Sequence, residues 1–235
     1  MKGPATKGPF VVAIDGPAGS GKSTLARNLA GALGVPSLDT GAMYRAAAAA
    51  VLAKGVVVNE EGEVSSVVAG SAIDVGERVL LDGKDVTELI RTPEVEALVS
   101  DVAALPEVRR DLVGRQQQWI RAHGGGVVEG RDIGTVVAPD AVLKVFLVAE
   151  PRVRATRRAG ERRQVHALSD VEGEIARRDR IDSSRATDPM RSAEALTAIG
   201  TDPSVMVVDT TSVTSEDVLA VVLERLTDLG VIARR

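Results

Sequence analysis

Eight consecutive residues, Gly16-Pro17-Ala18-Gly19-Ser20-Gly21-Lys22-Ser23, obey the pattern G-x-x-x-x-G-K-[ST]. Glycines at these spacings let the backbone curl until successive N–H groups point at one phosphate. The helix that follows adds its positive N-terminal end. Lys22 can reach the β- and γ-phosphates, and the Ser23 hydroxyl can ligate Mg²⁺. The pattern carries this meaning only between a strand and a helix. Phe10-Val11-Val12-Ala13-Ile14 reads as a short buried strand, and Leu25, Ala26, Leu29 and Leu33 mark a helix from 22 to about 33, closed by Gly34. Gly16 through Ser23, with Thr24 as a second hydroxyl beside Ser23, are therefore expected to bind ATP. The loop alone does not separate a kinase from a GTPase or an ATPase motor.

Further along, strands and helices alternate. A short extended piece leads to Asp39, and 42–53 is an alanine-rich helix. Residues 56–105 change texture. Ile73 to Leu81 partly alternates, Asp82-Gly83 is a hairpin signal, and Val86-Thr87 can close the hairpin, so a small β-rich insertion is expected. Helices are expected over 94–104 and 106–121, the second opened by Pro106. Val127-Val128-Glu129 and Val142 to Val148 read as buried strands. A basic helix spans 151–159, and Ser169-Asp170-x-Glu172 signals the start of another. A strand at 205–208 and a helix over 215–228 complete the chain. This alternation predicts an α/β fold on a mainly parallel sheet.

Composition narrows the chemistry. The chain has no cysteine, which excludes disulfides and cysteine-ligated zinc. A net charge of -4 and 2% aromatic residues argue against a nucleic-acid polymer as partner. No apolar run approaches the ~18 residues of a membrane span, and Phe10–Ile14 is too short for a signal-peptide core. A cytoplasmic protein is the expectation. Of 29 basic residues 23 are arginine, and 16 of those lie between Arg109 and Arg191. Guanidinium groups bind phosphate oxygens two at a time and stay charged, so the cluster suits phosphates on small molecules.

A GTPase would carry a guanine-reading Asn-Lys-x-Asp, which this chain lacks. Arg45, Arg109, Arg131, Arg157, Arg158, Arg178 and Arg185 instead sit at several helix ends and loops. A kinase of small phosphorylated acceptors needs such a spread, to neutralise donor and acceptor from several sides while excluding water. A phosphate monoester is mostly a dianion at neutral pH and needs no general base. His123 and His166 lie in polar segments and are expected to have no chemical role. Another small-acceptor kinase, or a non-catalytic nucleotide-binding module, fits these residues as well.

Five motifs in order carry a resemblance. They are the loop Gly16 to Thr24, Leu38-Asp39-Thr40-Gly41-Ala42-Met43-Tyr44-Arg45, Asp85-Val86-Thr87-x-x-Ile90-Arg91-Thr92-Pro93-Glu94-Val95, Glu129-Gly130-Arg131-Asp132-Ile133-Gly134-Thr135-Val136-Val137, and Arg177-Arg178-Asp179-Arg180-x-Asp182-x-x-Arg185. Together they resemble bacterial cytidylate kinase over nearly the whole chain. The resemblance implies a five-stranded core sheet, a monomer, and transfer from ATP to CMP or dCMP with Mg²⁺. It implies a core over 1–55, 106–156 and 169–235, a monophosphate-binding insertion at 56–105 and a lid at 157–168.

By the same resemblance, Arg45, Arg131 and Arg185 hold the CMP phosphate. Ser100, Arg109 and Asp132 read cytosine, with Thr40 nearby where the family often has serine. Arg178 and Asp182 read the sugar hydroxyls. Arg157 and Arg158 close over the transferring phosphoryl group, with Lys22 and Arg131 also catalytic and Ser23 on the metal. Each residue type fits its role, since a carboxylate can accept from the cytosine amine. A plain i,i+4 surface pair is an equally good reading of Arg178 and Asp182.

Overall fold

The computed structural model describes residues 9–161, 168–191 and 202–233. Five strands form one parallel sheet: β1 (Phe10–Asp15), β2 (Ser37–Asp39), β6 (Gly125–Gly130), β7 (Leu143–Val148) and β8 (Val205–Asp209). Their spatial order is β2-β6-β1-β7-β8. β1 lies at the centre, pairing Val12 with Val127 on one side and with Leu143 on the other. A strand flanked on both sides and covered on both faces must be apolar throughout, and Phe-Val-Val-Ala-Ile is.

The alternation of side chains across the sheet divides the core in two. Val12, Ile14, Val127, Leu143, Val145 and Leu147 face α1 (Lys22–Leu33) and α8 (Ser215–Asp228). Ala13, Leu38 and Val128 face the other layer, built from α2 (Thr40–Lys54), α4 (Pro93–Ala104) and α5 (Pro106–His123). The run Ala46 to Ala50 is buried all round. Alanine is the best helix former and has the least side chain to accommodate. That lets α2 sit deep between the sheet and the segment that follows.

That segment, 56–105, holds a three-stranded antiparallel sheet of β3 (Ile73–Val75), β4 (Val79–Leu81) and β5 (Lys84–Asp85). Asp82 and Gly83 both take positive φ, 51° and 76°, as a two-residue hairpin turn requires. The segment is less β-rich than expected, because α3 (Glu61–Gly70) precedes the sheet. The fully buried residues of that helix are Val64 and Val68, one turn apart, with Val67 partly buried against the same core. Glycine, serine and β-branched valine dilute the helical signal in between.

Pro151–Glu161 is α6 and Leu168–Ser184 is α7. Ser169, expected to open that helix, lies within it. Half of the expected lid, residues 162–167, and His166 with it, falls outside the described residues. Among the described residues no helix is long and apolar enough to cross a membrane. The carboxyl ends of β1, β2 and β6 all open on one edge of the sheet, where ligands bind in open parallel sheets.

Candidate active site

The glycine loop leaves β1 at Asp15. Gly16 and Gly19 take φ of 148° and 74°. A Cβ on Gly16 would lie 2.3 Å from the carbonyl oxygen of Leu147, and one on Gly19 would lie 2.6 Å from that of Arg154. Both positions are closed to any side chain by conformation and by space. Arg154, which the sequence did not single out, braces the loop. Its Nη1 donates to the Ala18 carbonyl at 3.1 Å and to Asp179 at 2.6 Å, and its Nε donates to the Ala149 carbonyl. Asp15 secures the opposite wall. Its two carboxylate oxygens accept from the backbone of Ile133 and Gly134 at 2.7 and 2.8 Å. Burial pushes the Asp15 carboxyl up to about 6, against the two hydrogen bonds.

A cavity opens between this loop, α2, α4, the end of β6 and α7. Gly19, Gly21, Lys22, Ser23 and Thr24 line it, with Arg45, Arg131, Arg158, Arg178 and Arg185 around them. Thr40, Ser100, Asp132 and Asp182 also face it. The structure thus gathers around one space residues as far apart in the chain as Gly19 and Arg185. Lys22 Nζ donates to the Pro17 carbonyl at 2.8 Å. Burial, then the charge of Arg131, lowers the Lys22 ammonium below its ordinary value. Burial and Arg131 likewise bring Arg178 down to about 10. These cations destabilise one another, which is the signature of a site built for an anion that supplies the missing negative charge.

Several buried polar atoms around the cavity have no hydrogen-bond partner among the described residues: Ser20 Oγ, Arg45 Nε, Arg178 Nε, Arg185 Nη2 and Glu129 Oε1. Arg185 Nη2 does lie 3.2 Å from Asp132, without hydrogen-bond alignment. Orphaned buried donors are costly, and three guanidinium nitrogens of this kind point to acceptors that a ligand brings.

The partners of the expected acceptor-side residues are specific. Arg45 donates to Asp39 at 3.0 Å, while Asp39 also caps α2 by accepting from the Ala42 N–H. Thr40 donates to the Glu129 carbonyl at 2.7 Å. Ser100 is buried in α4. Asp132 receives Arg109 and Arg185, both on Oδ2. No described residue donates to its Oδ1.

Three of the expected groups find partners that neither spacing nor the resemblance announces. Arg178 and Asp182 are not each other's ion-pair partners. Arg178 goes to Glu96 of α4 at 3.0 Å, and Asp182 goes to Arg131 at 2.7 Å. On α7 the four-residue spacing allows a pair, but buried partners on α4 and β6 outcompete it. Arg157 is absent from this cavity. It donates to the hydroxyl and carbonyl of Thr210 and lines a second cavity of ≈340 Å³ with Gly19, Thr24, Val213, Thr214 and Val218. Arg109 is also set back. It is 1% exposed and reaches the cavity only through Asp132 and Tyr44, to whose hydroxyl it donates at 3.2 Å.

Glu96, Asp188 and Arg154 belong to the site yet lie outside every sequence motif, and Glu129 opens one of the motifs without a role assigned to it there. Glu96 binds Arg158 at 2.6 Å as well as Arg178. His123 stacks on Trp119 and contacts its carbonyl, away from the cavity.

Comparison with known proteins agrees with this geometry. The cytidylate kinase family model matches residues 12–228. A cytidylate kinase of Carboxydothermus hydrogenoformans is 43% identical over 91% of this chain and 95% of its own length. One from Pelotomaculum thermopropionicum is 49% identical over 76% of this chain and 83% of its own. A gluconokinase structure from Sinorhizobium meliloti superposes with a TM-score of 0.51 at 13% identity, covering 94% of this chain and 93% of that one, which shows a shared fold alone. With its glycine loop, its five-stranded parallel sheet and its arginine-ringed cavity, the chain belongs to the cytidylate kinase family.

Proposed function

We propose that this protein transfers the γ-phosphoryl group of ATP to CMP or dCMP, giving ADP and CDP or dCDP. One observation carries the reading: a single cavity joins the glycine loop and Lys22 to unsatisfied guanidinium nitrogens and to Asp132, whose arginine partners meet Oδ2 alone. The first part suits a donor phosphate, the second an acceptor phosphate, and the third the exocyclic amine of cytosine.

ATP lies with its phosphates on the loop and Lys22. Its nucleoside end fits the second cavity, where Leu25, Val213 and Val218 offer apolar surface and Arg157 a planar cation. This replaces the role over the transferring group expected for Arg157, and leaves Arg158 for that place. CMP lies across the cavity. Its phosphate meets Arg45, Arg131 and Arg185, and Ser100 and Asp132 contact its base. Arg109 holds Asp132 from behind, and Asp182 holds Arg131. Residues 56–105 act as the acceptor-binding insertion.

The residues present fit Mg²⁺. Ser23 lies at the cavity beside Glu129, whose buried Oε1 is unpartnered and whose carboxyl is raised by burial and then by Asp39. An all-oxygen donor set of this kind suits a hard cation. When bound, the ion neutralises phosphate charge. Catalysis by the chain is positioning and charge neutralisation: the guanidinium groups align acceptor and donor oxygens and take the place of water around them. The acceptor is already a dianion, so no residue has to remove a proton.

The reading implies small-molecule partners only, a cytoplasmic location and a monomer. It is tested by ADP release with CMP, dCMP, UMP, AMP and shikimate as acceptors. Turnover with CMP and dCMP well above the others is expected. Equal or greater turnover with another acceptor would overturn it.

A further inference from the structure

Arg109 is the most buried cation of the site, and its surroundings can be counted. Its Nη1 donates to the Tyr44 hydroxyl at 3.2 Å. Its Nη2 donates to Asp132 Oδ2. A second carboxylate, Asp188, takes the remaining edge: Oδ2 lies 3.0 Å from Nη2 and 3.3 Å from Nε. The main-chain carbonyl of Asp188 accepts from Arg185 Nε at 2.7 Å. Asp188 therefore touches both arginines that bind Asp132. It lies just beyond α7, in a segment tied back by the Met190 N–H to the Asp182 carbonyl at 2.8 Å.

The backbone at Asp188 is unusual too. Its φ is 51°, one of two positive values among the described non-glycine residues. Aspartate and asparagine tolerate this conformation better than other residues with a side chain, and glycine tolerates it freely. The turn aims the Asp188 carboxylate back at Arg109.

Charge decides what this arrangement does. Two arginines, Arg109 and Arg185, meet two carboxylates, Asp132 and Asp188, and the group is neutral. Asp132, which lines the cavity, meets both arginines with Oδ2 and leaves Oδ1 without a described donor. Without Asp188, Arg109 would lose its acceptor at Nε and half of its charge compensation. A guanidinium with two free parallel donors binds a carboxylate through both oxygens. The nearest carboxylate is Asp132, and the oxygen it would take is Oδ1.

We propose that Asp188 is a specificity-determining positioning residue, which anchors Arg109 from the solvent side and so keeps Oδ1 of Asp132 available to the amine of the acceptor base. Asp188 itself touches no base. The inference rests on the reading of Asp132 as the base-contacting group.

The test uses two substitutions that preserve the backbone turn, Asp188→Asn and Asp188→Gly, in the full chain. KM and kcat are measured for CMP and UMP, and CMP and UMP affinities are measured by calorimetry without ATP. In both variants KM and Kd for CMP should rise about tenfold, the scale of one lost charge-assisted hydrogen bond, while those for UMP change less than about twofold. The loss should fall on KM rather than kcat, KM for ATP should hold, and thermal unfolding should confirm that both variants are folded. An equal loss for CMP and UMP would make Asp188 a general structural residue and overturn the proposal, as would unchanged CMP affinity in both variants. A wild-type enzyme with no preference for CMP over UMP would instead defeat the base-contact reading on which the proposal stands.

Discussion

Arg131 and Asp182, 51 residues apart in the chain, are joined Nε to Oδ2 at 2.7 Å. Both side chains are largely buried. The other edge of the same guanidinium donates from Nη1 to the Gly16 carbonyl at 2.5 Å. One arginine thus locks the glycine loop, the end of β6 and α7 to each other, with its face on the cavity. Asp182 sets the orientation of that face.

Asp182→Asn tests this role. Asparagine keeps an oxygen that can accept from a sugar hydroxyl, but it removes the charge that holds Arg131. A misplacement of about 1 Å in a phosphate-binding group costs up to about 100-fold in rate. kcat/KM should therefore fall about 10- to 100-fold for CMP and dCMP alike. A loss confined to CMP, with dCMP spared, would show that Asp182 reads the 2′-hydroxyl and that its bond to Arg131 is incidental.

Lys22→Ala should abolish turnover and leave the fold intact. The lysine makes one hydrogen bond, to the Pro17 carbonyl. Its neighbours Arg131 and Arg178 oppose its charge. Removing it relieves repulsion as it removes that bond, so stability should change by less than about 1 kcal/mol. The rate should fall about 1000-fold or more, because no other group in the loop carries a mobile cation to the phosphates. Urea unfolding and steady-state kinetics on one preparation separate the two effects. Normal kcat in the folded variant would refute the assignment of the loop.

Glu96 predicts a pH effect. It binds Arg158 and Arg178, so α4 is tied to both α6 and α7 through one carboxylate. Burial works to raise its pKa, but Arg178 and then Arg158 outweigh burial, and the carboxyl titrates below the usual glutamate range. A group with a depressed folded pKa stabilises above its unfolded value and loses that contribution as pH falls through the folded one. Glu96→Gln should therefore cost about 2 kcal/mol at pH 7, less than the roughly 3–5 kcal/mol of a partner removed from a fully buried pair, because both arginines keep some water contact and glutamine keeps an acceptor oxygen. The difference between wild type and variant should shrink below about pH 4.5. A difference that stays constant from pH 7 to pH 3 would mean that packing, not charge, is what Glu96 contributes.

The sequence carries the fold further than it carries the site's internal connections. A glycine loop between an apolar strand and an amphipathic helix, with alternating elements after it, leaves few architectures open, and the parallel sheet is one of them. α3 escaped because its three core-facing residues, Val64, Val67 and Val68, are all β-branched valines set among glycine and serine, a composition that reads as strand or loop as readily as helix. The arginines around the cavity stand out by residue type. Their carboxylate partners do not. Glu96 lies 82 residues from Arg178, and Asp188 lies 79 residues from Arg109. Pairs formed only by tertiary folding leave no spacing to read. Spacing even misleads at Arg178 and Asp182, where four residues suggest a local pair and each side chain instead finds a partner on another element.

The choice of base turns on Asp132. Both of its arginine partners meet Oδ2, no described residue donates to Oδ1, and Asp132 lines the cavity. Cytosine presents an amine donor where uracil presents a carbonyl. A carboxylate opposite a carbonyl is repelled, and both groups give up water on binding. A buried polar group left without a partner costs about 1–3 kcal/mol, and more when charged. CMP should therefore exceed UMP in kcat/KM by about 10- to 100-fold or more. Asp132→Ala should lower kcat/KM strongly for CMP and much less for UMP, so the preference narrows. The substitution also leaves Arg109 and Arg185 short of an acceptor, and some loss common to both substrates will accompany it. Arg131→Ala supplies the comparison: it is assigned to the phosphate that both substrates share, and it should reduce both by the same factor. Two variants measured with two substrates decide the matter. If Asp132→Ala lowers both substrates equally, Asp132 serves only to balance Arg109 and Arg185, and the base is read elsewhere.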